Sequence, residues 1–370
     1  MPTVAQYSTT NGESLSLELL AEGIVAPLTS LKWGQNGNSG IFDGGAYYAD
    51  GSVCARSLHR KAGFINEPRP LDSTAEMPRI PGSHFYAGML KNEHFGHFLV
   101  ESLSRLWAVK HATEDLQSIV FYARMHRQPV PAWVSAFIKI LVPDIPLRIV
   151  SAPTVFEKLV IPDQVAHPYN GYIYGHPAIR DFFSSLRQIR GKPSKKLYIS
   201  RSKLMDSGGF LGERRIEEIL AREGYSVVHP QEHSLRKQIS FYNGAQTLIF
   251  AEGAAIHLFA LTCRPDQKVF IIQRRKNASI FEWQLRTFGL TPVVGPEAPS
   301  SYFIPEHHGR NTLLARARIN YEKLRDQMIT EGLAVGVDWD LPDEHLIREE
   351  IDRIEKHMGQ RLLEYPSCSL

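Results

Sequence analysis

TLIFAEGAAIHLFAL, residues 247–261, decides the fold. Its first five residues form an apolar run of strand length. Glu252-Gly253-Ala254-Ala255 then makes a turn of mostly small residues, and an apolar helical stretch follows. The segment therefore passes from strand to helix through Gly253. Around it the same alternation repeats. KLYISR (196–201) is a short apolar run ending in a polar loop. Residues 212–223 carry Ile216, Ile219 and Leu220 on one helical face, with Gly224 as a C-terminal stop. YSVVHP (225–230) reads as a strand, SLRKQISFYNGA (234–245) as a helix capped by Ser234, and KVFIIQ (268–273) as another strand. Strand–helix–strand repetition at this spacing predicts an α/β fold, with a parallel sheet wrapped by helices.

The first half is less regular. Residues 1–90 are rich in Gly, Pro, Ser and Asn and read as irregular or β-rich. Residues 94–110 read as a helix, with Leu99, Leu103, Leu106 and Trp107 on one stripe. SIVFYA (118–123) and LRIV (147–150) read as strands flanking a helix at 131–141. KLVIP (158–162) is a further strand, and 162–177 is a plausible hinge. Past 305, charged amphipathic helices are expected around 311–331 and 343–363, packing on the body or on a second subunit.

Composition narrows the class. The chain has 370 residues, enough for about two domains. It is 43% apolar and 22% charged, as soluble globular proteins are. Net charge is +3, with 42 basic against 39 acidic residues, too balanced for a general nucleic-acid binder. Cys54, Cys263 and Cys368 have neither disulfide nor zinc-ligand spacing, which fits a reducing cytoplasm. The N-terminal residues lack the basic start and apolar core of a signal peptide. The most apolar stretch, 247–263, is too short and too polar to span a membrane. A cytoplasmic protein is expected, at most a peripheral visitor to the inner membrane.

Three segments could carry chemistry. At the carboxyl end of strand 247–251, the small residues Gly253, Ala254 and Ala255 would let an anion approach backbone N–H groups at a helix start. They would equally permit close helix–sheet packing. Ser200-Arg201-Ser202-Lys203, directly after strand 196–200, could hold a diphosphate or be a solvated basic loop. HFGHFLVESLSRLW (94–107) places His97, Glu101 and Arg105 four apart on one helical face, after His94. Glu101 could deprotonate a hydroxyl or orient His97 to do so. Alternatively, Glu101 and Arg105 form a surface pair stabilising by about 0.2–0.5 kcal/mol.

HFGHFLVESLSRLW resembles the segment that opens the conserved region of glycosyltransferase family 61. KLYISRSK resembles that family's strand followed by Ser-Arg. YSVVHPQEHSLRKQISFYNGAQTLIFAEGAAIHLFAL resembles its closing region. The three blocks occur in the family's order and cover roughly residues 84–290. Many members carry His before the glycine of the last block. Here that residue is Glu252, with His257 one helical turn on, a form that resembles a bacterial capsule-type variant.

The resemblance implies an inverting sugar transfer from a nucleotide sugar to a hydroxyl of a glycan acceptor. It also implies two Rossmann-like domains facing a cleft in a GT-B-like arrangement. Domains are expected at 1–165 (acceptor side), 166–304 (nucleotide-sugar side) and 305–370 (helical tail). Glu101 or His97 would take the acceptor proton, with His94 and Arg105 on the acceptor side. Arg201, Lys203, Ser200, Gly253, Ala254 and Ala255 would receive the donor diphosphate. Glu252 or His257 would meet the donor's hydroxyls, or His257 the diphosphate. No cofactor and no metal are expected. The implied partners are a nucleotide sugar and a glycan acceptor, with no nucleic acid, membrane contact only through a lipid-linked acceptor, and a possible homodimer through the C-terminal helices. The rival reading is a non-catalytic nucleotide- or carbohydrate-binding or assembly subunit on the same fold. A kinase ranks below it, because the chain has no Gly-x4-Gly-Lys-Ser/Thr loop.

Overall fold

Five short apolar runs of the second half pair as a wholly parallel sheet. Their spatial order is Ser226–Val228, Lys196–Ile199, Thr247–Ala251, Lys268–Ile272, Val293–Gly295. In chain order this is 2-1-3-4-5, a doubly wound sheet whose direction of growth reverses between Lys196–Ile199 and Thr247–Ala251. Leu248, Ile249, Phe250, Phe270 and Ile271 are fully buried, as strands covered on both faces must be. Helices Glu213–Arg222, Leu235–Gly244, Ala255–Ala260 and Ser279–Thr287 make the connections. Ser234 caps the second of these as expected, its side chain accepting from Lys237 N at 3.3 Å.

The computed structural model describes residues 3–8, 14–35, 39–72, 76–123, 129–191, 194–276, 278–309 and 313–369. The chain is mixed α/β and divides into two units, Met1–Gln188 and Ile189–Leu370. The 162–177 stretch, expected as a hinge near a boundary at 165, lies within the first unit. Backbone hydrogen bonds from Val165 N to Ser104 O and from Ile173 N to Val100 O fasten it there.

The first unit is built on a seven-stranded sheet ordered Thr3–Ser8, Ser14–Ala26, Thr154–Pro162, Arg79–Leu90, Leu116–Ala123, Leu147–Val150, with Gly45–Tyr47 pairing beside Ser14–Ala26. The last four strands of the order run parallel; the others join antiparallel. Leu31–Trp33, Gly40–Phe42 and Phe64–Asn66 form a separate small sheet. Among the described residues, the N-terminal 90 are thus largely β-structure.

The expected tail is not a separate helical segment. Its helices are shorter, Tyr321–Thr330 and Glu344–Met358, and positions 311–312 of the expected first helix lie outside the described residues. Strands Arg316–Arg318 and Leu362–Pro366 pair with Ser301–Pro305, and Gly209–Phe210 completes a four-stranded sheet. Ile319, Leu324, Met328 and Leu333 join Ile249, Phe270 and Ile272 in one buried cluster, so the tail is part of the second unit's core. No described helix is long and apolar enough to cross a membrane.

Candidate active site

The 94–110 segment is not one regular helix. His94 begins an α-helical turn at Phe95–His97, its carbonyl accepting from Phe98 N at 3.0 Å. The chain then widens into a π-helical turn over Phe98–Ser102 and ends as a 3-10 helix, Leu106–His111. Wide turns of this kind recur at functional sites because they re-aim side chains. The apolar stripe is real: Leu99, Leu103, Leu106 and Trp107 are fully buried. The polar residues do not form the opposite, wet face. Glu101 and Arg105 are each 2% exposed and do not pair with each other.

Arg105, expected beside the acceptor, is built into the fold. Its Nη1 donates to Pro162 O and its Nη2 to Leu58 O at 2.9 Å, with the guanidinium 5.4 Å from the centre of the Tyr86 ring. These bonds commit its hydrogen-bonding edge inside the first unit.

Glu101 is the centre of a charged cluster. Its Oε1 accepts from His97 Nδ1 at 2.6 Å and Lys61 Nζ at 2.9 Å. Its Oε2 accepts from His59 Nε2 at 3.2 Å and from Lys91 Nζ. Lys91 stands at the carboxyl end of strand Arg79–Leu90, and its backbone N–H donates to Ser102 Oγ at 2.9 Å, which sets the height of the turn above the strand. Burial pushes the Glu101 carboxyl up, but the bonds from His59 and His97 and the Lys91 charge outweigh it, holding the group well below the usual range. Burial pushes His59 down, toward the neutral ring.

Protonation states follow. An ionised carboxylate only accepts hydrogen bonds, so both imidazole nitrogens facing it must carry hydrogen. A neutral His97 is then the Nδ1–H tautomer, with its lone pair on Nε2. The His97 side chain is 39% exposed, whereas Glu101 is sealed. Of the two groups, the imidazole is therefore the one that solvent reaches, and the buried carboxylate orients it. Sequence reasoning missed His59, Lys61 and Lys91, which come from a loop and a strand end with no periodic signal.

In the second unit, charged groups gather at the carboxyl ends of three adjacent strands. Arg201 follows Lys196–Ile199, Glu252 follows Thr247–Ala251, and Arg274 and Arg275 follow Lys268–Ile272. Arg201 and Gly253 lie where the strand order reverses, the place at which open α/β sheets bind ligands. They touch: a Cβ on Gly253 would stand 2.4 Å from Arg201 Nη1. Only a residue without a side chain admits the guanidinium there. Arg201 Nε and Nη2 both donate to Gly208 O, at 3.0 and 2.9 Å.

Glu252 faces inward, not toward a ligand. Its Oε2 accepts from Arg274 N at 3.0 Å and Arg275 N at 3.1 Å, and Arg275 Nε donates to its Oε1. Two successive N–H groups make a small anion cradle, which the carboxylate fills. Ser200 is fully buried, within bonding distance of Glu213 and Glu217. Lys203 is on the surface, paired with Glu232 at 2.8 Å. His257 lies 2.6 Å from Gln284 Oε1 and is 6% exposed. Ala254 and Ala255 open a helix of only six residues.

Arg316 joins the cluster, its Nη2 donating to Leu204 O and Met205 O at 2.8 Å. Arg201, Arg274, Arg275 and Arg316 thus lie near the carboxylates Glu252, Glu213 and Glu350. Burial, together with the charge of Glu217, pushes Glu213 up to about 7, despite hydrogen bonds from Arg201, Tyr198 and Ser200. Burial and the Arg201 charge push Arg274 down. Arg274 Nη1 and Arg316 Nε are buried with no hydrogen-bond partner. Buried guanidinium nitrogens left without a partner are costly unless an acceptor, such as an anion, arrives to satisfy them. Among the described residues, no group of three or more His, Cys, Asp and Glu side chains is placed to hold a metal ion.

The first unit thus holds an imidazole paired with a buried carboxylate, and the second holds a cluster of guanidiniums at its strand ends. Residues 95–270 match the family model described as Glycosyltransferase 61, which supports that family and a glycosyltransferase activity. The matched segment runs from the start of the Phe95–His97 turn to Phe270, and so contains His97, Glu101, Arg201, Glu252 and Gly253. No curated protein matches the chain.

Proposed function

We propose that the protein is an inverting glycosyltransferase that moves a sugar from a nucleotide sugar to a hydroxyl of a glycan acceptor in bacterial surface-polysaccharide synthesis. The observation that carries the reading is the bond between His97 Nδ1 and buried Glu101 Oε1, inside the segment that matches the family. His97 Nε2 takes the acceptor hydroxyl proton as that oxygen attacks the anomeric carbon. The bond from that carbon to the diphosphate breaks, and the nucleoside diphosphate leaves with its electron pair. Glu101 holds the imidazole in the accepting tautomer and stabilises the imidazolium that forms.

The leaving diphosphate is received at the Arg201–Gly253 switch point, with Arg274 and Arg275 adding positive charge. Preorganised donors aimed at developing charge are worth most where water is excluded, and here they would serve without a divalent metal. A single displacement with inversion needs the base on the side of the sugar opposite the diphosphate. A GT-B-like pairing of the two units across a cleft would supply that. Attack on a lipid-linked acceptor would bring the protein to the inner membrane peripherally, from the cytoplasm. Self-association through the C-terminal helices would use their polar faces, because Leu324, Met328, Ile347, Ile351 and Ile354 are buried within the unit.

A second reading has one observation in its favour. Ser200, Glu252 and His257, expected at the donor, are committed to partners inside the second unit. A binding subunit would tolerate that. One experiment separates the two. Nucleotide sugars are screened for thermal stabilisation, which must grow with concentration over affinity, and those that bind are assayed for nucleoside diphosphate release. Stabilisation with release supports the transferase, stabilisation without release supports the binding subunit, and neither effect with any donor sinks both.

A further inference from the structure

Aromatic side chains ring the Glu101 cluster. In the small sheet, Trp33 pairs with Gly40, and Gly40 with Phe64, so the three lie in one row on one face. Gly40 has no side chain, and the rings of Trp33 and Phe64 meet across it edge to face, with centroids 5.9 Å apart at 84°. The Phe64 ring carries Lys61 Nζ at 5.1 Å and Lys91 Nζ at 5.8 Å. Those two ammoniums hold Glu101. On the other side, Lys61 Nζ is 5.6 Å from the Tyr172 ring centre, and the Tyr172 and His97 rings meet edge to face at 6.1 Å. Trp33, at the end of this wall, is 53% exposed.

We propose that Trp33 is a stacking platform for a pyranose ring of the acceptor glycan, placed by Phe64 beside the Lys61–Lys91–Glu101–His97 cluster. This rests on the glycosyltransferase reading of that cluster. A pyranose ring presents an apolar C–H face to an indole while its hydroxyls stay wet, which suits an aromatic with one apolar and one solvated side. The register argues for a single ring over a membrane or a protein partner. Ile41 and Ile65, the sheet's other exposed large apolar residues, pair with each other and with Lys32, on the face opposite Trp33. The exposed apolar surface is therefore split between two faces, whereas membrane and protein docking sites are contiguous patches.

The test uses full-length protein labelled with 5-fluorotryptophan, the Trp33 fluorine signal being assigned by its loss in Trp33→Phe. Methyl pyranosides of glucose, galactose, N-acetylglucosamine and glucuronic acid are the probes. At least one should shift the Trp33 signal among the five tryptophans. Trp33→Ala should weaken its binding at least tenfold, while Ile41→Ser, on the other face, leaves it unchanged. The platform is overturned if no glycoside moves the Trp33 signal, or if Trp33→Ala binds as well as wild type. Nucleoside diphosphate release by wild-type protein is measured separately. Glycoside binding at Trp33 without release from any nucleotide sugar keeps the platform and fails the transferase; release without any response at Trp33 does the reverse.

Discussion

Replacing His97 by Ala separates chemistry from folding more cleanly than any change at Glu101. The imidazole is 39% exposed and bonds to one carboxylate oxygen. Glu101 keeps His59, Lys61 and Lys91 in the variant, so the loss should stay near that of one hydrogen bond to a charged group, about 1.5 kcal/mol. Turnover should fall far more. A positioned general base contributes roughly 100- to 10,000-fold, which is about 3–5 kcal/mol of barrier. Glu101→Gln behaves differently. It leaves two ammoniums, 15% and 13% exposed, facing an amide instead of a counter-ion. Breaking a buried ion pair costs about 3–5 kcal/mol, and solvent reaching the lysines brings this site toward the lower end. The assay is nucleoside diphosphate release with the donor found by thermal screening, beside urea unfolding of each variant. His97→Ala should lose about 1.5 kcal/mol of stability, with donor KM close to wild type and kcat at least 100-fold down. Turnover within threefold of wild type would refute the imidazole as base. A stability loss equal to that of Glu101→Gln would refute the cluster geometry.

Gly253→Ala should weaken nucleotide binding at least tenfold and cost about 1–3 kcal/mol of stability, because the new methyl group displaces Arg201; calorimetric titration with the donor and urea unfolding check both. Glu213 titrates at about 7 in the folded protein against an ordinary 4.5. Its contribution to stability is full below pH 4.5 and lost as pH rises toward 7, on the order of 3 kcal/mol, so Glu213→Gln should flatten the stability profile in that window. Glu101 has the opposite sign: its carboxyl is depressed, so its contribution is present above about pH 4.5 and lost as pH falls through the depressed value. Leu324→Ala should cost about 2–5 kcal/mol by urea unfolding, and deletion of 311–370 should leave no folded second unit, since this residue belongs to that unit's core.

The second half was largely legible because its strands are covered on both faces and its helices carry ordinary signals. Ser234 is an N-cap, and Ile216, Ile219 and Leu220 are buried together. The tail misled for a physical reason. Strands Arg316–Arg318 and Leu362–Pro366 are too short to carry a period-two pattern of their own, and pairing to Ser301–Pro305, not propensity, makes them strands. In the site, four-residue spacing correctly joined His97 to Glu101. The same spacing suggested Glu101 with Arg105, but after Ser102 the chain leaves the helix for a turn at Leu103–Arg105, and Arg105 turns to the carbonyls of Leu58 and Pro162. Glu252 looked like a ligand contact because a carboxylate after a strand is polar at the right place. What the sequence could not show is that the next strand's N–H groups at 274 and 275 bind it. His84 had no pattern to place it, and it is buried within strand Arg79–Leu90, 2.8 Å from Ser118 Oγ.

Single displacement assisted by a base has a stereochemical signature that binding data cannot imitate. The direct measurement is proton NMR of the sugar first released when the bound donor is turned over with water as acceptor, read before the anomers equilibrate. The free sugar should appear with its anomeric configuration inverted relative to the donor, and His97→Ala should suppress it. Release with the donor's configuration retained contradicts the account.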